Sequence, residues 1–285
     1  MTEAQTIILT FMRFSKYLFI GIAALCLISQ SLHSQPISLK TTDHESKLLA
    51  DSILQVALDR EGLYTILGDL KPISTVFHLY LPLAKDSLHK DGDNEILSPG
   101  DPALQKIKRY QQALQHLEND SIGFFFGPFK MAQGKTRAMQ LIVYKKRLVA
   151  DLVREHQSFF GQWGFTPSTQ PEMIIHTIEF ESKHDRFRGY GYLFGYPKHA
   201  VDFFVQASLE QEVSGEFVKR NFYQIPVFVG EEGHFVYAVP EGYEAGEIDL
   251  NIRERALIIL ERYKLLRGQF LHGELLSSLS LLSVW

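Results

Sequence analysis

The sequence predicts an α+β fold: a single domain with a mostly antiparallel sheet packed by several amphipathic helices, after an N-terminal signal segment. Three observations carry this. Helical and strand periodicities come in blocks (helices, strands, helices, then a hairpin), without the regular strand–helix alternation of a doubly wound sheet. No internal repeat and no Pro/Gly/Ser-rich linker divides the chain. Hydrophobic residues are 45% and charged residues 22% of 285, an ordinary globular balance that allows a sizeable core.

The first element is an address. Arg13 and Lys16 precede an apolar run from Tyr17 to Ile28, followed by Ser29-Gln30-Ser31. Charged, apolar and small-residue segments in that order make a secretory signal. Met12 is the expected true start, because Met-Arg-Phe-Ser-Lys gives a conventional basic opening. Ser29 and Ser31 supply the small residues for cleavage after Ser31. Cleavage after Ser34 would put Leu32 at the −3 position. The apolar run has 12 residues, short of the roughly 20 that span a bilayer as an uncleaved anchor. A lipoprotein would use Cys26, but Leu25 before it is bulky. The expected division is therefore a signal peptide over 1–31 and one exported domain over 32–285, periplasmic or extracellular.

Cleavage would remove Cys26, the only cysteine, and with it any disulfide, thiol nucleophile or thiolate metal site. The remaining 254 residues hold 27 basic and 32 acidic side chains, a net charge of −5. That balance lacks the basic footprint of a nucleic-acid binder. No second membrane span is visible. With 21 Phe and 12 Tyr, the core should be rich in aromatic rings.

Along the chain, Thr42 and Glu45 form a capping box. Leu49, Ile53, Val56 and Ala57 follow at helical spacing up to Glu61-Gly62. Thr75–Leu81 reads as a strand and Lys85–Gly100 as a charged loop. Ser98 and Pro99 then open a helix with Leu104, Ile107, Leu114 and Leu117 inward. Ile122–Phe126 and Met139–Tyr144 read as an antiparallel pair about a Gly-Pro connection. Leu148–Trp163 reads as one amphipathic helix with His156 on its apolar side, a core histidine. Thr169 and Glu172 make a second capping box for a helix to about Lys183. A Gly- and Tyr-rich loop leads to a helix from Pro197 to about Glu212. Ile225–Val229 and His234–Val239 form a hairpin across Gly230–Gly233. The last long helix covers Ile252–Phe270, with Ala256, Ile259, Leu260, Tyr263, Leu266 and Phe270 inward. The apolar tail Leu275–Trp285 should pack on the domain.

No catalytic or metal motif rises above chance. Gly134-Lys135-Thr136 resembles the end of a phosphate-binding loop. That loop needs a glycine where Phe129 stands and a helix where Met139–Tyr144 reads as a strand. Ser87-Leu88-His89-Lys90 fits Ser-x-x-Lys, but sits in a charged loop without Lys-Thr-Gly or Ser-Asp-Asn partners. Asn119-Asp120-Ser121 is a formal glycosylation sequon.

The unusual stretch is His176–Asp202. If the helix continues past Lys183, Thr177, Glu181, His184 and Arg188 share one stripe. A carboxylate, an imidazole and a guanidinium there could transfer protons and hold an anion. Glu181 and His184 are thus the catalytic candidates. Arg186, Arg188, Tyr190, Tyr192 and Tyr196 are the ligand-binding candidates, with Gly189, Gly191 and Gly195 letting backbone approach a ligand. The helix from Pro197 would aim free amides at the same place. Glycines and charges at a helix–loop–helix turn also read as plain stop signals. No metal is expected, because His176 and Glu179 lie nearly opposite Glu181 and His184, and no cofactor is implied. A second polar cluster, Asp59-Arg60-Glu61 with Lys71-Pro72, reads as a solvated helix end that could complete a cleft near Arg188.

Three functions follow as expectations: an exported protein binding a small anionic or sugar-like ligand, an exported hydrolase-type enzyme using Glu181, His184 and Arg188, or an envelope protein that docks a partner without a small-molecule site. Oligomeric state is not legible.

Overall fold

The computed structural model describes residues 39–83, 100–272 and 275–285. The expected signal segment, Cys26, the Ser87–Lys90 pattern and the expected Ser98-Pro99 helix start lie outside them. Three strands, β1 (Ile73–Pro82), β2 (Ile122–Gln133) and β3 (Thr136–Lys145), pair antiparallel in the order β1-β3-β2. β3 reads Ala-Met-Gln-Leu-Ile-Val-Tyr from Ala138, an almost continuous apolar run. That is why it takes the central place, buried on both faces. Side chains alternate across a strand. Leu141 and Val143 therefore enter one core cluster, while Ile142 and Tyr144 enter another on the opposite face.

The first cluster packs the sheet against α1 (Leu39–Leu58), α2 (Gly62–Ile66) and α3 (Pro102–Leu114). It also takes in the hairpin β4 (Arg220–Val227) and β5 (Gly230–Pro240), then α9 (Glu247–Phe270) and α10 (Ser278–Leu282). The second packs the other face against α4 (Lys146–Glu155), α5 (Gln157–Phe160), a 3-10 turn Gly161–Trp163, α6 (Pro171–Phe180) and α7 (Lys183–Leu193). The helix α8 (Lys198–Ser214) gives Ala200 to the first cluster and Val201 to the second. Each fully buried Leu, Ile, Val or Phe contributes about 1.5–3 kcal/mol. A two-residue pair, β6 (Leu271–His272) and β7 (Leu275–Leu276), precedes α10. Residues Asp43–Trp285 form one compact unit.

The α+β class and the antiparallel pairing match the sequence reading; several boundaries do not. α1 begins at Leu39, so Thr42 lies inside it rather than at its cap. α3 begins at Pro102, with Asp101 Oδ1 accepting from the Ala103 amide at 2.8 Å. Gly127 and Pro128 sit within β2, whose register shifts between Pro128 and Ala132. The actual turn is Gly134-Lys135, where Gly134 takes φ +57°. The Gly-Lys-Thr triplet is therefore a hairpin turn. The β4–β5 turn is Phe228-Val229, with Val227 opposite Gly230, so it begins two residues before the expected Gly230–Gly233. The Leu148–Trp163 helix breaks at His156, which leaves helical geometry at φ −107°, ψ 36°. Thr169 does not cap α6. Its hydroxyl accepts from the Thr166 amide, and Glu172 bonds Tyr144 instead. The tail packs as expected: Leu281 is buried and Trp285 Nε1 donates to Leu67 O at 3.1 Å.

Candidate functional site

The stripe of Thr177, Glu181, His184 and Arg188 does not form, because the helix stops at Phe180. Glu181 is extended, at φ −69° and ψ 175°, and Ser182 likewise at φ −57° and ψ 156°. The carbonyls left open at a helix end need partners. Lys130 Nζ, reaching over from β2, donates to Phe180 O at 2.9 Å and Glu181 O at 2.8 Å. Trp163 Nε1 donates to Glu181 Oε1 at 2.8 Å. The new helix is marked by Ser182, whose hydroxyl bonds Asp185 Oδ2 at 3.0 Å. A Ser-x-x-Asp spacing is a helix-start signal, and it stood in the sequence unread.

The predicted site residues therefore separate. Glu181 is held by Trp163. His184 Nε2 lies 3.6 Å from Glu212 Oε2 without a hydrogen bond, and Lys183 takes the other oxygen at 2.8 Å. Arg186 faces Glu179 Oε1 at 3.4 Å, a buried carboxylate that also accepts from the Lys130 amide at 2.8 Å. Tyr190 Oη accepts from Gln140 Nε2 at 3.0 Å. Burial first, and then Glu179, raise the Tyr190 phenol well above its usual value. Arg188 bonds Asp202 and reaches Tyr192 Oη at 3.3 Å. Tyr196 stacks on Phe235 at 6.2 Å, far along the first core cluster. Among the described residues no hydrogen bond or ion pair joins Glu181, His184 and Arg188 to one another.

The Gly- and Tyr-rich stretch is helix, not loop. A Cβ on Gly189 would meet Ile178 at 2.7 Å, and one on Gly191 would meet Val201 at 2.7 Å. These glycines let α6 and α8 approach α7. Gly195 ends α7 in left-handed geometry at φ +73°.

One part of the predicted set does assemble, at the start of α8. Asp202 accepts from both Arg188 and Lys198. Burial pushes its carboxyl up, but the bonds from Lys198 and Arg188 outweigh that and hold it below the usual value. Lys198 is 72% exposed. Pro197 occupies the N-cap and offers no side-chain acceptor, so no side chain caps the first amides of α8. Beneath, Tyr192 stacks on His156 with centroids 3.8 Å apart and rings 7° from parallel. Burial lowers the His156 pKa.

Two constellations escaped sequence reasoning. In the first, Asp249 is fully buried near the start of α9. It accepts from Tyr237 Oη at 2.6 Å, Tyr243 Oη at 2.5 Å and the Gly246 amide at 3.0 Å. His199 Nε2 lies 3.2 Å from its Oδ1 and 3.1 Å from Tyr243 Oη. Burial raises the carboxyl, yet the two tyrosine bonds prevail and lower it. In the second, the supposed solvated end is packed in: Asp59 is buried, and Arg60 and Glu61 are half-buried. Lys71 has no exposure and sits 3.2 Å from Glu61 Oε2, beneath Phe194, Tyr196 and Phe235. Asp59 takes Arg267 Nε at 2.7 Å, Arg267 Nη2 at 3.0 Å and Tyr263 Oη at 2.7 Å. This cluster meets Tyr196, and among the described residues no contact links it to Arg188.

At the far end of α8 an open groove is lined by Leu209, Val213 and Phe217, with Glu210 and Glu216 beside them. Among the described residues no group of three or more His, Cys, Asp or Glu side chains could hold a metal ion, and no helix is long and apolar enough to cross a membrane. No family model matches the chain, and neither a curated protein nor a solved structure matches it.

Proposed function

We propose that the protein is an exported binding protein that holds a small anion at the start of α8. The observation that carries this is the sharing of one carboxylate, Asp202, by two cations, Arg188 and Lys198. Two positive charges against one leave a local surplus of positive charge beside uncapped helix amides. Cations and free amides converging on one spot are what an oxyanion needs. The order of segments in residues 13–31 supports export. An anion is favoured over a sugar-like ligand, because the faces of Tyr192, Tyr190 and Tyr196 are already covered by His156, Phe194 and Phe235.

Titration calorimetry of residues 32–285 with phosphate, sulfate and succinate tests the proposal. Saturable binding that weakens with added salt is expected, with at least about tenfold loss (about 1.4 kcal/mol) in Arg188→Ala/Lys198→Ala. The proposal fails if no anion gives a saturable signal up to about 10 mM, a regime weaker than about −3 kcal/mol. It fails equally if the double variant binds as the parent does.

A further inference from the structure

We infer that His199 is a proton-transfer residue that hydrolyses a small anionic carboxylic ester held at the start of α8, an inference that rests on the anion-binding reading above. The hydrogen bonds around Asp249 define the imidazole's form. Tyr243 gives its proton to Asp249 Oδ2 at 2.5 Å. Its oxygen, 3.1 Å from His199 Nε2, is therefore left to accept. Nε2 then carries the hydrogen, and it also faces Asp249 Oδ1 at 3.2 Å. In a neutral imidazole this leaves the lone pair on Nδ1, the base form of the ring. The ring is stacked on Tyr243 at 5.4 Å and 19°, which fixes its plane. The buried carboxylate behind it stabilises the imidazolium that forms when Nδ1 takes a proton.

Position supplies the substrate class. His199 is the second residue of α8, and helical side chains lean toward the N-terminus. His199 thus springs from the same first turn as the uncapped amides. Asp202, which gathers Arg188 and Lys198, stands one turn away at i+3. His199 is 33% exposed, so water and solute reach it. Among the described residues its one hydroxyl partner is Tyr243, whose proton is committed to Asp249. The nucleophile is therefore water.

In the step, a water oxygen bonds to the ester carbonyl carbon while Nδ1 accepts one of its protons. The carbonyl electron pair moves onto oxygen, next to the first amides of α8. The adduct then re-forms its C=O, the ester C–O bond breaks, and the leaving oxygen takes the proton from Nδ1. An acid and an alcohol leave, and no further reactant is consumed. Asp249 is a positioning residue, since it acts through His199.

The test uses residues 32–285 with p-nitrophenyl hydrogen succinate and the neutral p-nitrophenyl acetate. The parent should hydrolyse the anionic ester about 10²-fold faster than His199→Gln, a usual general-base contribution. Asp249→Asn should lower kcat and leave KM for the anionic ester unchanged, because the ring loses the carboxylate that orients it. Should that variant fail to fold, His199→Ala with added imidazole serves instead, and the rate should recover above the protein-free control. Arg188→Ala/Lys198→Ala should raise KM and spare kcat. Equal rates for the parent and His199→Gln overturn the inference, while calorimetric binding of succinate would leave the anion reading standing. Hydrolysis that needs His199 but treats both esters alike, with the double variant silent, keeps proton transfer and removes the anion reading.

Discussion

The ammonium of Lys71 lies 3.2 Å from the Glu61 carboxylate with no solvent exposure, and 4.1 Å from the Phe235 ring centre. A buried ion is tolerable only while paired. Glu61→Gln should therefore strand the cation and cost about 3–5 kcal/mol. Lys71→Met/Glu61→Gln together should cost less than that single change, because both charges leave at once. Urea unfolding in a double-mutant cycle measures the difference; additive losses would show the two groups act independently.

Burial lowers the Lys71 pKa below the ordinary 10.5, even though Glu61 opposes the shift. Between the folded value and 10.5 the unfolded chain binds more protons. Stability should thus rise with pH across that window relative to Lys71→Met. Urea midpoints taken toward pH 10.5 check it, and a relative fall would contradict it.

Gly189→Ala and Gly191→Ala should each cost about 1–3 kcal/mol, since the added methyl overpacks α7 against Ile178 or Val201. Gly161→Ala is the control. Its Cβ meets only the end of the Gln157 side chain, at 3.0 Å. That change should be neutral or stabilise by about 0.4–1 kcal/mol. Thermal unfolding ranks the three, and a tolerant Gly189 would mean that the helices do not need the contact.

His234 is held down to about 4, first by burial and then by Arg60. Its unfolded value is near 6.5, so as pH falls below 6.5 the unfolded chain takes up the proton and the folded one does not. Stability should be lost from pH 6.5 to about 4 and then level off, by at most about 3 kcal/mol. His78 and His156 are shifted in the same direction by burial. His234→Gln should flatten part of the slope; an unchanged slope would assign it to other groups.

Arg188→Ala should cost less than about 1 kcal/mol, because its partner Asp202 is 38% exposed and keeps Lys198. Asp59→Ala should cost about 2–4 kcal/mol, since it strands the buried Tyr263 hydroxyl and the Arg267 guanidinium. Chemical denaturation of the two variants side by side checks the order.

What the sequence disclosed and what it hid divide along a physical line. Periodicity is local, so β3, α8 and α9 and the inward residues Ala256, Leu260 and Tyr263 were legible. A helix break fixed by a distant lysine was not: Lys130 precedes Phe180 by 50 residues. Nothing in the spacing of Glu181, His184 and Arg188 reveals that Trp163, Glu212 and Asp202 claim them separately. The Asp249 cluster draws on α8, β5 and the approach to α9, and the Lys71 cluster on four separate segments. Only tertiary packing brings such groups together. The arginine with Asp202 and Lys198 was half visible, because Lys198 and Asp202 are one helical turn apart.

Both outer strands of the three-stranded sheet spend a backbone amide on a glutamate. Thr75 of β1 donates to Glu61 Oε1 at 3.2 Å, and Lys130 of β2 donates to Glu179 Oε1 at 2.8 Å. Pro128 removes a further donor from β2. An open sheet rim is a template on which a foreign strand can grow. Here the rims are interrupted by side chains anchored elsewhere in the core, so fibril-like stacking of one molecule onto the next would first have to break those carboxylate bonds. The same two glutamates also pair with Lys71 and Arg186, so each carboxylate ties a sheet rim to a cation packed on another element.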